Sequence, residues 1–361
     1  MKKVLIITAH RKDRAPNQRF RFEQYLNFLE ENGFHCKISS IISANDDKIL
    51  YQAGNYFKKG LIVFKAILNR SKDVLLRNKY DLIFICREGF LTGTTFFEEL
   101  LHKSKAPIIY DFDDAIWHFD VSDANKNFGW LKNPGKTARL ISMADLVFAG
   151  NHYLAEFAHH YNDKVTIVPT TIDTDEYKPF PFRDSKVVCI GWSGSITTIR
   201  HFEMAVPVLK ALKEKYADRI SFKVIGDGNY KNVSLDIQGI SWKKETELEE
   251  LSQIDIGIMP LPDDEWAKGK CGLKGLQYMA LGIATVMSPV GVNTEIIQDG
   301  VNGMLASSTE EWVCKISQLI DNTELRRNCA QNGQITVQEN YSVKALQNVY
   351  LAHFQNLTAQ K

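Results

Sequence analysis

A chain of 361 residues in which 44 Lys and Arg face 43 Asp and Glu has a formal net charge of +1. It has no global field to gather nucleic acid or another polyanion, so any anion site must come from local clusters. The length favours two domains, each with its own core. Six cysteines stand singly at 36, 86, 189, 271, 314 and 329, without metal spacing, as in a reducing cytosol, and no apolar run approaches the ~20 residues of a membrane span or forms a signal peptide.

In chain order, residues 4–8 read as a first strand and 18–32 as the helix after it. Apolar runs at 34–40, 82–86, 107–111, 146–149 and 165–168 continue a parallel α/β series. The loop after the first strand carries Arg19 and Arg21. Arg19 is open to an anionic acceptor such as a lipid diphosphate, whereas Arg21 is expected to pair at the surface with Glu23 and Glu30. Arg87, Glu88 and Gly89 close another strand.

Residues 55–79 carry seven cations, Lys58, Lys59, Lys65, Arg70, Lys72, Arg77 and Lys79, against Asp73 alone. Tyr56, Phe57, Leu61, Ile62, Phe64 and Ile67 lie among them. A basic amphipathic helix of this kind suits an anionic bilayer, with Lys58, Lys59, Lys65 and Arg70 facing it. The alternative is a helix packed on the sheet with its cations solvated.

Asp111, Asp113 and Asp114 end the strand at 107–111. Three carboxylates so close require compensation by cations, hydrogen bonds or water. Asp113 and Asp114 are the candidates for contact with sugar hydroxyls, and a D-x-D metal site is the sharper alternative. A break at 170–185 then separates a second strand series at 187–192, 222–226, 237–239, 254–259 and 284–287.

The second series opens with a Gly/Ser/Thr loop at 191–198, in which Gly191, Ser193, Gly194 and Ser195 offer amides and hydroxyls to a diphosphate. Arg200 is the nearest cation. Gly226 and Trp242 end the next strands and are the candidate base pocket. In the segment 268–306, Lys268, Lys270 and Lys274 interleave with glycines ahead of an apolar helix that Gly282 closes. Cations and open amides at a helix start make an anion site. The strand at 284–287 then leads into a loop with Gly291 and the carboxylate of Glu295, at the strand end where doubly wound sheets bind ligands.

The order and spacing of residues 268–306 resemble the C-terminal domain of the group 1 glycosyltransferases, family 4. That family has a Glu-x7-Glu motif leading into a helix that ends A-x-G-x-P-V-V, followed by a glycine loop, E-I-V and D-G-x-x-G. Here the two glutamates fall on Gly269 and Gln277, and the proline on Ala284. Gln277 can still hydrogen-bond a ribose; Gly269 has no side chain for the sugar, and Lys270 or Lys274 is expected to fill that space. VPTTID at 168–173 echoes the family's interdomain V-x-P-x-G-x-D.

The resemblance implies the GT-B fold, an α/β architecture of two facing Rossmann-like domains with an interdomain cleft. Residues 1–175 would form the acceptor domain and 176–341 the nucleotide-sugar domain, with a terminal helix at 342–361 crossing back. It implies a retaining, metal-independent, hexosyltransferase-like enzyme that needs no cofactor. The donor would be a nucleotide-diphosphate sugar, UDP or GDP, and the acceptor a saccharide or lipid-linked. A D-x-D-D run of this kind is similar to that of bacterial surface-polysaccharide transferases. A cytoplasmic enzyme, peripheral on the inner face of the membrane, is expected. A GT-B sugar-nucleotide epimerase and a non-catalytic nucleotide-sugar-binding protein are the alternatives.

Overall fold

The computed structural model describes residues 1–50, 52, 54–118 and 133–359. The chain divides into two compact units, unit 1 of Met1–Thr170 with Leu346–Lys361 and unit 2 of Thr171–Ala345. The sequence-based boundaries, 175/176 and 341/342, fall a few residues from these.

Unit 1 runs β1 (Lys2–His10), α1 (Pro16–Arg19), α2 (Leu26–Glu31), β2 (Phe34–Ile42), α3 (Ala44–Leu50), α4 (Tyr56–Leu76), β3 (Leu82–Cys86), α5 (Phe96–His102), β4 (Ile108–Phe112), α6 (Gly135–Met143), β5 (Leu146–Ala149), α7 (His152–His159) and β6 (Val165–Ile167). Its six strands form one parallel sheet in the order β2-β1-β3-β4-β5-β6. Every residue of β3 and β4 is buried, as in a parallel sheet covered on both faces, and this is why β3 reads as an unbroken apolar run and β4 is interrupted only by Asp111.

The helix expected at 18–32 is broken into α1, a single 3-10 turn and α2. Gln18, Arg19, Phe20, Arg21, Phe22, Glu23, Tyr25 and Leu26 are all buried. A segment enclosed on every side has no solvent stripe to hold a continuous amphipathic helix in register.

Expectation and structure also part in α4. Lys59 is buried and Arg70 fully so, and neither belongs to a solvent face. The Arg70 guanidinium donates to the carbonyl of Thr8 at 2.6 Å, of Ser39 at 3.1 Å and of Gly89, and to the Asp73 carboxylate at 3.0 Å. One side chain thereby ties α4 to β1, to β2 and to the loop after β3.

Unit 2 runs β7 (Val188–Ser193), α8 (Ile199–Glu203), α9 (Val206–Tyr216), β8 (Ile220–Gly226), β9 (Lys231–Asn232), β10 (Ile237–Gln238), β11 (Ile240–Ser241), α10 (Glu247–Leu251), β12 (Ile256–Met259), α11 (Glu265–Lys268), α12 (Leu273–Ala280), β13 (Ala284–Met287), α13 (Asn293–Ile296), β14 (Met304–Leu305), α14 (Thr309–Asp321) and α15 (Thr323–Asn340). The final α16 (Val343–Ala359) starts in unit 2 and belongs to unit 1 from Leu346. There its Tyr350 stacks on Tyr25 at 4.4 Å and meets Phe148 at 5.2 Å.

The second parallel sheet has the order β11-β8-β7-β12-β13-β14. The strand expected at 237–239 is not part of it. Ile237 and Gln238 instead form an antiparallel ribbon with Lys231 and Asn232, and β11, just beyond, takes the sheet edge. Trp192, Leu212, Val224, Ile256, Ile258, Val286, Ile316 and Leu319 make the centre of the core. Among the described residues no helix is long and apolar enough to cross a membrane.

Removing one partner of a buried ion pair leaves the other uncompensated, at a cost of about 3–5 kcal/mol. Arg70→Ala should destabilise unit 1 by that amount, seen as an earlier unit 1 transition in urea. An unchanged midpoint would show that the clamp contributes nothing net.

Candidate functional site

The exit of β7 is shaped by one fully buried indole. A Cβ at Gly194 would collide with the Trp192 ring, and one at Gly226, where φ is +142°, would collide with the Gly194 carbonyl. The Gly194 N–H donates to Ile225 at 2.9 Å, so the ends of β7 and β8 touch backbone to backbone and neither position tolerates a side chain. Ser195 and Thr198 form a capping box over the turn that follows. Gly191, expected in the loop, is inside β7, two residues before its end, and its missing Cβ leaves room for the Ile254 side chain.

Helix α12 is pinned to this exit. The Ser193 N–H donates to the Tyr278 hydroxyl at 2.7 Å, and the Ser193 hydroxyl lies 3.1 Å from it. Burial pushes the Tyr278 phenol up to about 12, so it remains protonated. One turn earlier on α12, the Lys274 ammonium stands 5.3 Å over the Trp192 ring, and Lys270 stands 4.9 Å over Trp266. Gly291, at φ +54°, packs its loop against the backbone of Lys268. Glu295 is on the exposed side of the one-turn helix α13, and Arg200 is exposed at the start of α8.

The sequence did not single out His201, beside Arg200. It is buried and its Nδ1 has no hydrogen-bond partner, while the next residue, Phe202, packs on Trp192 at 5.8 Å. Burial first, then the charges of Lys274, Lys270 and Arg200, lower its pKa to about 4, with Asp264 opposing. A buried imidazole that feels three cations and one acid marks a region of positive potential beside Trp192. Such a region suits a ligand with several anionic oxygens.

Gln277 is committed elsewhere. Its amide donates to Glu247 at 3.2 Å and to the Tyr177 hydroxyl at 3.3 Å, and that hydroxyl donates to Glu247 at 2.8 Å. The Trp242 indole N–H donates to the same carboxylate at 3.0 Å. Trp242 and Gln277, both expected around a nucleotide, are thus joined through Glu247, which sequence spacing did not reveal. A glutamate at 277 would bring its carboxylate against that of Glu247 in a buried place.

In unit 1 the acidic run is neutralised from within. Arg21, expected at the surface, is buried against Asp111 and donates also to the Val168 carbonyl. Burial raises the Asp111 pKa, and Arg21 opposes that rise. Arg87, at φ +59°, donates to Asp113 at 2.7 Å and to Asp114. Beyond the acidic run, Trp117 stacks on Phe157 at 3.7 Å. Among the described residues no group of three or more His, Cys, Asp and Glu is arranged to hold a metal ion.

Residues 184–322 match the family model described as glycosyl transferases group 1. Over 313 residues the chain is 28% identical to an uncharacterized glycosyltransferase, MJ1069, of Methanocaldococcus jannaschii, covering 78% of this chain and 77% of that one. Its fold is similar to a glycosyltransferase from Rickettsia africae, with a TM-score of 0.70 at 13% identity, covering 100% and 99% of the two chains. Sucrose-phosphate synthase from Thermosynechococcus elongatus gives 0.71 at 12% identity over 100% of both, and Anabaena HepE in complex with UDP and glucose gives 0.64 at 14%, over 99% and 100%. Unit 2 carries a group 1 glycosyltransferase domain, and the two parallel-sheet units have the GT-B fold of glycosyltransferases.

Gln277→Glu should lower stability by about 1–3 kcal/mol and weaken nucleotide binding with it. Stability and affinity equal to wild type would mean that Glu247 takes up a proton or turns away at little cost. A pH effect follows from the histidines. His10 and His201 titrate near about 6.5 when unfolded, and both are lowered to about 4 in the fold, chiefly by burial. The unfolded chain binds more protons between those values, so the stability they contribute is complete above about pH 6.5 and is lost as pH falls toward 4. Thermal unfolding of His201→Gln should decline less steeply than wild type across that window, and parallel curves would refute the assignment.

Proposed function

We propose that this glycosyltransferase moves a hexose from a nucleotide-diphosphate donor to a saccharide or lipid-linked acceptor, with retention of configuration and without a metal ion. The observation that carries this reading is the gathering of Lys270, Lys274 and Arg200 around the buried His201, with Lys274 held over Trp192 at the C-terminal end of β7. The leaving diphosphate gains charge as the sugar becomes oxocarbenium-like. Cations already held over Trp192 and Trp266 meet that charge with little reorganisation, and they lower the barrier more than they tighten the ground state.

Gly269 brings no carboxylate to the sugar, so Lys270 and Lys274 act on the diphosphate and the acceptor attacks from the same face, the donor phosphate taking its proton. Trp242, held by Glu247, offers its ring to the base, and Ser193 and Ser195 border the phosphates. Asp113 and Asp114, oriented by Arg87, are the carboxylates offered to sugar hydroxyls. A UDP-linked donor is favoured over a GDP-linked one because HepE was crystallised with UDP and glucose. Synthesis of a cell-surface polysaccharide in the cytoplasm, peripheral to the membrane, is the setting that suits such an acceptor.

Incubation with a panel of nucleotide sugars in excess chelator tests the reading. Released nucleotide with a glycosylated acceptor supports it; an isomerised donor would make the protein an epimerase, and binding without turnover a sensor. A strict need for manganese or magnesium would overturn the role given to the lysines. Lys274→Ala should cut turnover roughly 100-fold and weaken nucleotide diphosphate binding in calorimetry. Unchanged affinity would remove Lys274 from the site.

A further inference from the structure

Helix α4 turns an apolar edge to solvent. Phe57 and Leu75 are each 81% exposed, Phe64 57%, Leu68 55% and Leu61 46%. On a helix that advances 3.6 residues per turn these five lie within an arc of about 60°. Ile62, Ala66, Arg70 and Asp73 are buried on the opposite side. Seven of the seventeen large exposed hydrophobic residues among those described belong to this one helix, a concentration that marks an interaction surface.

Charge identifies the partner. Lys58, Lys65 and Lys72 recur at intervals of seven residues and are exposed, so they form a row directly beside the apolar edge. The helix's single acid, Asp73, is buried with Arg70, and Asp46 of the neighbouring α3 stands 3.5 Å from Lys65 and partly balances it. The exposed side of α4 therefore combines aromatic and aliphatic groups with an excess of cations. A second copy of this face would oppose lysine to lysine, whereas anionic headgroups supply the missing charge and the acyl boundary accepts the rings.

We infer that the face of α4 formed by Phe57, Leu61, Phe64, Leu68 and Leu75, flanked by Lys58, Lys65 and Lys72, docks flat on an anionic phospholipid bilayer. This deepens the peripheral setting of the proposed function and rests on it; the donor chemistry of unit 2 is tested separately. Arg70 and Lys59 take no part, because they are buried in unit 1. The helix is about 30 Å long and lies along the surface rather than across it.

The test is co-sedimentation of the full chain with phosphatidylcholine vesicles, with and without phosphatidylglycerol, at low and high salt. The wild type should bind the anionic vesicles and be partly released by salt. Lys58→Gln, Lys65→Gln and Lys72→Gln together should abolish the preference for anionic lipid. Phe57→Ser, Phe64→Ser and Leu68→Ser together should reduce binding at least about tenfold at either salt, with the melting curve and donor turnover of wild type, since these side chains are already in water. Equal binding of wild type and the serine variant would overturn the inference, as would no binding of either. A concentration-dependent dimer that the serine variant dissolves would assign the face to a second copy instead. Vesicle binding lost with turnover intact refutes the surface alone, and turnover absent with vesicle binding intact refutes the transfer reading alone.

Discussion

A guanidinium taken out of water must find partners for a fork of N–H donors that it cannot neutralise by losing its proton. Arg70 meets that demand at Thr8, Ser39, Gly89 and Asp73, and much of unit 1 follows from it. With the fork held by two strands and a loop, α4 has one permitted rotation about its axis. That rotation buries Asp73 and puts the phenylalanines in water. Arg21 imposes a similar constraint farther along the sheet, joining the end of β4 to the segment after β6 through Asp111 and Val168. Arg87 then takes Asp113 and Asp114, so three neighbouring carboxylates coexist because two guanidiniums stand among them.

Unit 2 is governed by shape more than by charge. The Trp192 ring fills the space beneath the exit of β7, and Gly194 and Gly226 are the price of that volume. Because the two backbones touch, the loop is held by sterics before any ligand arrives. The Ser193 bond to Tyr278 adds the position of α12, and with it that of Lys274. A site that is to stabilise charge in a transition state gains from such fixing, since dipoles and cations already in place need not move during the reaction.

The strands were legible because strands covered on both faces must be apolar throughout, and the runs at 82–86, 146–149 and 284–287 return as β3, β5 and β13. The cations at 270 and 274 were legible from their spacing ahead of a helix. Polar pairing was not, because it joins residues far apart in the chain: Arg21 and Asp111 are 90 positions apart, Gln277 and Tyr177 100. In α4 the difficulty was of another kind. Apolar residues occur on both sides of that helix, so periodicity names two faces without saying which one meets the sheet. Arg70 and Lys58 look alike as sequence and differ wholly in surroundings.

Three of the chain's six tryptophans stand at the candidate site, each beside a charged group: Trp192 under Lys274, Trp266 under Lys270, and Trp242 bonded to Glu247. Indole emission responds to nearby charge. An anion bound beside the two ammonium groups changes the local field at both rings, so the protein carries a built-in optical gauge of site occupancy. Titrations can therefore be followed by intrinsic fluorescence, without a dye and without a coupled assay.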